Sequence, residues 1–140
     1  DGRVDGGLPD NWAQAAVLSA LVEGLAGVTD KTKLFEQVEI APRWLAAGRD
    51  EASVNIAYGA SGKKVRYDYK HNPSSKAISV KAGGDASVYN FRILLPKGIT
   101  KAKATVSEKP VTLRYEKVRN SVYAVAENVI GVAPNFVLRY

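Results

Sequence analysis

The feature that most constrains this chain is a change in its side-chain pattern after Asp30. From that point β-branched and aromatic residues alternate with polar ones, and turn-forming residues recur at intervals of about ten positions, a pattern typical of antiparallel β structure. The alternation is clearest where Val65, Tyr67 and Tyr69 are separated by charged residues. It predicts strands with one buried and one solvated face.

The segment after Asp30 is predicted to form nine short strands, because each alternating run is bounded by turn signals such as Gly83-Gly84 and residues 71–74 (HNPS). The predicted strands are residues 35–40, 52–58, 64–69, 77–80, 87–94, 102–106, 112–116, 121–125 and 135–139. Nine short strands in about 105 residues favour a mainly β fold, a two-sheet antiparallel, jelly-roll-like sandwich, with a closed barrel as the alternative.

One helix is predicted before the strands, at about residues 10–26, where apolar residues recur at helical spacing. Asp10 or Asn11 can cap its first turn, and Gly27 is placed to end it in the left-handed conformation. The most consistent apolar line is Trp12, Ala16, Leu18, Leu21 and Leu25. The opposite side is apolar as well, which predicts burial on more than one face, in part against the sandwich.

Composition excludes several classes of protein. The 140 residues contain no cysteine, which rules out disulfide scaffolds, cysteine-based zinc sites and thiol catalysis. The 20 Lys and Arg against 14 Asp and Glu permit binding to polyanions, but they occur without long basic runs, so a solvated surface is favoured over a nucleic-acid interface. No apolar stretch reaches the roughly 20 residues of a membrane span, so no membrane partner is predicted.

Candidate catalytic residues are few. His71 is the one histidine and precedes Asn72-Pro73, so an exposed turn histidine is predicted in preference to a catalytic one. Asp1, Asp5 and Asp10 lie close together in the sequence, and paired carboxylates hydrolyse glycosidic bonds. Helix capping and solvation are the favoured interpretation of these acids. We therefore predict no catalytic residue, no metal and no cofactor.

Aromatic side chains raise the question of sugar binding, because exposed rings in a row stack on pyranose rings. The candidates are Trp44, Tyr58, Tyr67, Tyr69, Tyr89, Tyr115 and Tyr123. Aromatic residues in the strands of a sandwich more often fill its core, and the Tyr67/Tyr69 pair is typical of a packed face.

Two groups of segments resemble a known family. Residues 6–16 (GGLPDNWAQAA) and 21–28 (LVEGLAGV) resemble the last barrel helix of bacterial (α/α)6 six-hairpin glycoside hydrolases. Residues 35–44 (FEQVEIAPRW), 54–58 (VNIAY), 64–69 (KVRYDY) and 91–98 (FRILLPKG) resemble the C-terminal β-sandwich of those enzymes. A hairpin follows at residues 106–111, where Ser107-Glu108 stands in the place of the family's Asn-Gly turn.

The resemblance implies two parts: residues 1–30 as the loop and closing helix of a missing α/α barrel, and residues 31–140 as a C-terminal sandwich. In that family the catalytic acids lie on the other barrel helices, so this chain alone is expected to be inactive. It would be a non-catalytic accessory domain that buttresses the barrel of the same parent glycoside hydrolase. The parent would be a secreted bacterial protein, periplasmic or extracellular, with carbohydrate as a further partner.

No catalytic residue is carried over from the family. The candidate carbohydrate contacts are Trp12, Trp44, Asp5 and Asp10, of which Trp12 and the two acids lie nearest the expected barrel mouth. Two alternatives stay open at this point. A free-standing carbohydrate-binding module predicts an exposed row of two or more aromatics, and a basic nucleic-acid-binding module predicts a continuous Lys/Arg face with salt-sensitive binding.

Overall fold

The computed structural model describes residues 11–140, with side chains from Ala13 onward. Helix α1 (Asn11–Ser19) continues directly into a π-helical segment (Ala20–Leu25), which matches the predicted extent of the helix. Within the described residues the strands are β1 (Val28–Asp30), β2 (Gln37–Ile40), β3 (Glu51–Ala57), β4 (Lys64–Asn72), β5 (Ala77–Gly84), β6 (Val88–Leu94), β7 (Lys103–Val106), β8 (Lys109–Val111), β9 (Arg114–Val118), β10 (Ser121–Ile130) and β11 (Asn135–Arg139).

The strands form two sheets. Sheet 1 has the order β1-β2-β6-β10-β9, and sheet 2 has the order β3-β4-β5-β11-β7-β8. Neighbouring strands are antiparallel except β2 and β6, which run parallel. The long connection that a parallel pair requires is formed by β3 to β5 of sheet 2. The predicted two-sheet sandwich with one preceding helix is confirmed, and the parallel pair is its one departure from a purely antiparallel arrangement.

The core lies between the two sheets. Phe91 of sheet 1 stacks on Phe136 of sheet 2 with ring centroids 4.9 Å apart, and both rings are fully buried. Strand β4 alternates between exposed and buried positions along its whole length, so Val65, Tyr67 and Tyr69 all point inward as predicted. Fully burying such side chains contributes about 1.5–3 kcal/mol each, which is why the alternating pattern decides the fold.

The β7–β8 hairpin turns through two residues that are unusual for such a turn. Ser107 and Glu108 have φ of 46° and 70°, and Val106 pairs with Lys109 on either side of them. Two successive left-handed residues are the geometry of a type I′ turn, which Asn-Gly adopts most easily. The chain therefore keeps the tight turn with residues that adopt it less readily.

The glycine pair was wrongly predicted as a turn. Gly83 and Gly84 are the last two residues of β5, paired with Arg66 and Val65 of β4. Gly84 has φ of 119°, and a Cβ there would overlap the carbonyl oxygen of Lys64. Only glycine fits at position 84, where two backbones approach closely, so β5 continues through the glycine pair and ends at its second member.

Two edge strands are absent from the nine predicted by alternation, although the hairpin at residues 106–111 that the resemblance implies contains the second of them. Strand β1 has three residues and β8 has three, too few for a visible alternation. Pro110 in β8 is another reason, because proline argues against a strand unless the strand lies at an edge, as β8 does. The predicted strand at residues 112–116 is β9, displaced to Arg114–Val118.

Candidate functional site: the helix and its joint to the sandwich

The helix presents an apolar surface that is exposed among the described residues. Val17, Leu18 and Leu21 are 60%, 62% and 53% exposed. Leu21 is a surface neighbour of both other side chains, since residues three and four apart share a side of a helix. The prediction that the helix is buried on more than one face is wrong at Leu21, because more than half of this side chain is exposed although its π-helical segment contacts β1.

The joint between the helix and the sandwich is short and closely packed. Gly27 is left-handed with φ of 68°, as predicted, and a Cβ there would overlap the carbonyl oxygen of Ala41. The Gly27 carbonyl accepts a hydrogen bond from the Ala41 N–H at 2.7 Å, and the Leu25 carbonyl accepts one from the Arg43 N–H at 3.0 Å. These bonds fix the direction in which the helix leaves the sandwich.

A buried tyrosine adds a third attachment. The Tyr67 hydroxyl donates to the carbonyl of Ala26 and accepts a hydrogen bond from the indole N–H of Trp44 at 2.9 Å. Burial raises the pKa of the Tyr67 phenol above its ordinary value, so it stays a neutral donor. Trp44, one of the candidate carbohydrate contacts, is half-buried, and its N–H is already used inside the protein. Its predicted contact with sugar stays a prediction.

Asp30 organises the loop that follows β1. Its carboxylate accepts hydrogen bonds from the Phe35 N–H at 3.1 Å, the Tyr58 hydroxyl at 2.8 Å and the Thr32 N–H at 3.2 Å. Burial alone raises the pKa of Asp30, but these hydrogen bonds outweigh it and the pKa lies below its ordinary value. The ring of Tyr58 also stacks on Phe35 at 4.7 Å, so this loop is held from both sides.

A cavity of 550 Å³ lies between the helix and the sandwich beside this loop. Leu18 and Val22 line its helix side, and Phe35, Ile56 and Tyr58 line the opposite side. Val22 packs against the core of the sandwich, whereas the described side chains of the α-helical part before it are exposed.

The prediction that His71 lies in an exposed turn is wrong. It lies in β4 with its ring buried, and not in an exposed turn. Its Nδ1 lies 2.9 Å from Asp50 Oδ1 and its Nε2 lies 2.8 Å from the Tyr140 hydroxyl. The signal was present, since His71 continues the inward-facing series of β4, but the following Asn72-Pro73 suggested an earlier turn. The hydroxyl of nearby Tyr69 is buried with no hydrogen-bond partner in the described structure.

Three of the seven aromatic candidates lie in the core as favoured, two are half-buried (Trp44 and Tyr123) and two are exposed. Tyr67, Tyr69 and Tyr89 are buried, whereas Tyr58 and Tyr115 are exposed. Tyr58 follows β3 of sheet 2 and Tyr115 lies in β9 of sheet 1, and both hydroxyls are bonded within the chain. In residues 13–140 the exposed tyrosines do not form a row for sugar stacking.

Three of the predicted site residues are not located by the structure. Asp5, Asp10 and the side chain of Trp12 lie outside the described residues, so their contacts with carbohydrate stay predictions. From residue 11 onward no three His, Asp or Glu side chains are grouped as metal ligands would be. Among the described helices, none is long and apolar enough to cross a membrane.

No protein-family model and no curated protein sequence matches the chain. Several solved structures do match the chain. A Listeria monocytogenes EGD-e protein in complex with alpha-D-glucose, beta-D-glucose, magnesium and calcium matches with a TM-score of 0.50 and 13% identity, over 74% of this chain and 10% of that one. A GH127 beta-L-arabinofuranosidase from Geobacillus stearothermophilus T6 matches with 0.48 and 12%, over 90% and 18%.

A further match, described as a glycoside hydrolase, has a TM-score of 0.48 and 16% identity over 64% of this chain and 15% of that one. This chain thus spans between 10% and 18% of the length of these three solved chains. Identities this low speak to the fold and not to activity. The predicted resemblance holds at the level of fold: 74% of this chain matches a small part of the Listeria monocytogenes chain, and the names of the other two matched chains are those of glycoside hydrolases.

Proposed function

We propose that the chain is a non-catalytic accessory β-sandwich of a carbohydrate-active enzyme, and that it buttresses the catalytic barrel of the same polypeptide by holding its last helix. The observation that carries the proposal is an apolar helix that is exposed along its length and fixed at its end. Val17, Leu18 and Leu21 lack cover, while Gly27 and Ala26 are fastened to the sandwich. Such a surface on a soluble domain marks a site of contact with other protein.

The stiffness of the joint supports a buttress over a tethered sugar-binding module. Two residues, Ala26 and Gly27, separate the π-helical end from β1. A tethered module gains from a flexible Gly/Ser or Pro-rich linker, whereas a support needs a fixed angle to what it supports. On this proposal, the boundary falls near residue 30 and the enzyme works outside the cytoplasm, in the periplasm or beyond the cell.

The first test is to read the coding sequence upstream of Asp1. The proposal requires several hundred further residues with the periodicity of paired helices. An upstream region with another pattern, or none, overturns the buttress.

The second test compares two double variants of the chain itself. Leu18→Ser/Leu21→Ser removes the apolar surface of the helix, and Val118→Ser/Ile130→Ser removes two exposed apolar side chains elsewhere on the sandwich. We expect the helix variant alone to lose most of the binding of a hydrophobic fluorescent dye and the self-association of the chain. Equal losses in both variants would show that the helix is not a distinct docking surface.

A further inference from the structure

The outer faces of the two sheets carry different charge. In sheet 1, Arg92, Glu116, Arg114 and Glu127 form a continuous ion-pair network with N–O distances of 2.7–2.8 Å, so the charges neutralise one another. The outward positions of β3, β4, β5, β7 and β11 in sheet 2 hold six basic and two acidic side chains. The basic ones are Lys64, Arg66, Lys70, Lys81, Lys103 and Arg139; the acidic ones are Glu51 and Asp68.

A concavity of 380 Å³ lies on this basic face, across β3, β4 and β5. Its outward-facing polar lining is Ser53, Asn55, Arg66, Asp68 and Lys81. Strand register sets these groups side by side, since Ser53 pairs with Asp68, Asn55 with Arg66, and Asp68 with Lys81. Directly opposite residues on one face lie about 5 Å apart, so the five groups form one contiguous lining.

Two contacts order the lining. The Ser53 hydroxyl donates to Asp68 Oδ1 at 2.7 Å, which holds the carboxylate in place. The Arg66 side chain lies across Gly83, where an added Cβ would meet its Nε at 3.4 Å. The missing side chain at Gly83 thus leaves room for the Arg66 side chain beside it.

The set of groups indicates the chemistry of the ligand. A hydroxyl, an amide and a carboxylate suit a ligand rich in hydroxyl groups, while Arg66 and Lys81 give the concavity a net positive charge. Asp68 disfavours a ligand as densely charged as a polyphosphate, because like charges in one site repel. None of the lining side chains that face outward is aromatic, so nucleotide bases have no ring to stack on.

We propose that this concavity binds an acidic saccharide, with Arg66 and Lys81 on the ligand carboxylate and Asp68, Ser53 and Asn55 on its hydroxyl groups. The proposal rests on the proposed function only in taking a saccharide as the class of ligand. It does not depend on the helix, and failure of either proposal leaves the other standing.

The experiment measures binding of the whole chain to three probes: an oligogalacturonate, neutral maltohexaose and a single-stranded oligonucleotide. We expect the oligogalacturonate to bind at least tenfold more tightly than either other probe. Arg66→Gln/Lys81→Gln should weaken its binding at least tenfold. The matched control Lys31→Gln/Lys33→Gln removes the same net charge from an exposed loop and should change the affinity less than twofold.

Asp68→Asn separates the two kinds of anion. It should weaken binding of oligogalacturonate, because sugar hydroxyls lose a strong acceptor, and strengthen binding of the oligonucleotide, because a repelling charge is gone. The proposal is overturned if the control pair weakens binding as much as the site pair, if the oligonucleotide or maltohexaose binds more tightly than the oligogalacturonate, or if the oligogalacturonate does not bind.

Discussion

The helix and the sandwich of this protein are both rich in apolar residues, yet they bury them to opposite degrees. Phe91 and Phe136 are fully buried between the sheets, whereas Leu18 and Leu21 are more than half exposed. The sandwich supplies both layers of its own core, and the helix finds no second layer within the described residues. An apolar pattern therefore predicts which side chains require burial, but it does not predict which element or partner buries them.

The largest expected effect comes from the buried side of this comparison. Phe91→Ala removes a ring stacked between the sheets and should lower the free energy of unfolding by about 3–5 kcal/mol, because it leaves a cavity that the sheets cannot close. Chemical denaturation gives the value. A loss below about 1 kcal/mol would mean that the two sheets pack loosely, and that the contrast with the helix is smaller than stated.

The joint is expected to come next. Gly27→Ala should cost about 2 kcal/mol or more, since alanine strains the left-handed backbone and its Cβ overlaps Ala41. Gly24→Ala is the matched control: it lies in the π-helical segment with open space around it and should be neutral or stabilising. Equal effects of the two changes on the denaturation midpoint would show that the joint is not rigid.

A turn of the sandwich should be open to improvement. Replacing Ser107 with Asn and Glu108 with Gly installs the residues that a type I′ turn prefers and should stabilise the chain by about 0.5–1 kcal/mol. The control is the reverse choice, Glu108→Val, which places a β-branched side chain at φ of 70° and should destabilise. Thermal unfolding of both variants checks the sign, and a destabilising Asn-Gly would contradict the assigned turn.

Acid should weaken the loop beside the joint. Because hydrogen bonds hold the pKa of Asp30 in the folded chain below its ordinary 3.8, its stabilisation is present above that value and is lost as pH falls through the lowered pKa. The free energy of unfolding should therefore fall less steeply with acid in Asp30→Asn than in the parent chain. The Tyr58→Phe variant lacks one of these hydrogen bonds, and the steepness of its acid dependence should lie between those of the other two chains. Identical acid profiles would show that the Asp30 carboxylate does not stabilise the loop.

The smallest effect is expected on the exposed helix. Leu21→Asp should change the stability of this chain by less than about 0.5 kcal/mol, because the side chain is largely in water already. A buried counterpart, Leu138→Asp, should prevent stable folding, since it places an unpaired charge in the core. A large loss for Leu21→Asp would show that the helix docks on the sandwich after all.

Sequence reasoning predicted the sandwich because its signal is local: the alternation of Val65, Tyr67 and Tyr69 is readable from a few residues. It failed where two signals compete. His71 continues that alternation, but the following proline suggested a turn, and the bonds from His71 to Asp50 and Tyr140 join residues far apart in the chain. Gly84 is needed because another backbone comes close, which no local pattern reveals.

The candidate site was predictable to the same extent. The apolar line of the helix and the left-handed Gly27 follow from spacing and residue type, whereas the attachment of Ala26 to Tyr67 depends on how the sheet is placed. The basic concavity on sheet 2 was missed for a similar reason. Ser53, Arg66 and Lys81 lie on three different strands, and only register brings them together.

The hydrogen bond between Trp44 and Tyr67 also gives the joint a fluorescence signal. Indole emission is sensitive to whether the ring N–H is hydrogen-bonded, and here that N–H is one bond away from the hydroxyl that holds Ala26. The chain has two tryptophans, so a Trp12→Phe background leaves Trp44 as the single emitter. The emission spectrum of Trp44 then reports on the hydrogen bonds at the joint, and it can be recorded while a partner binds the helix.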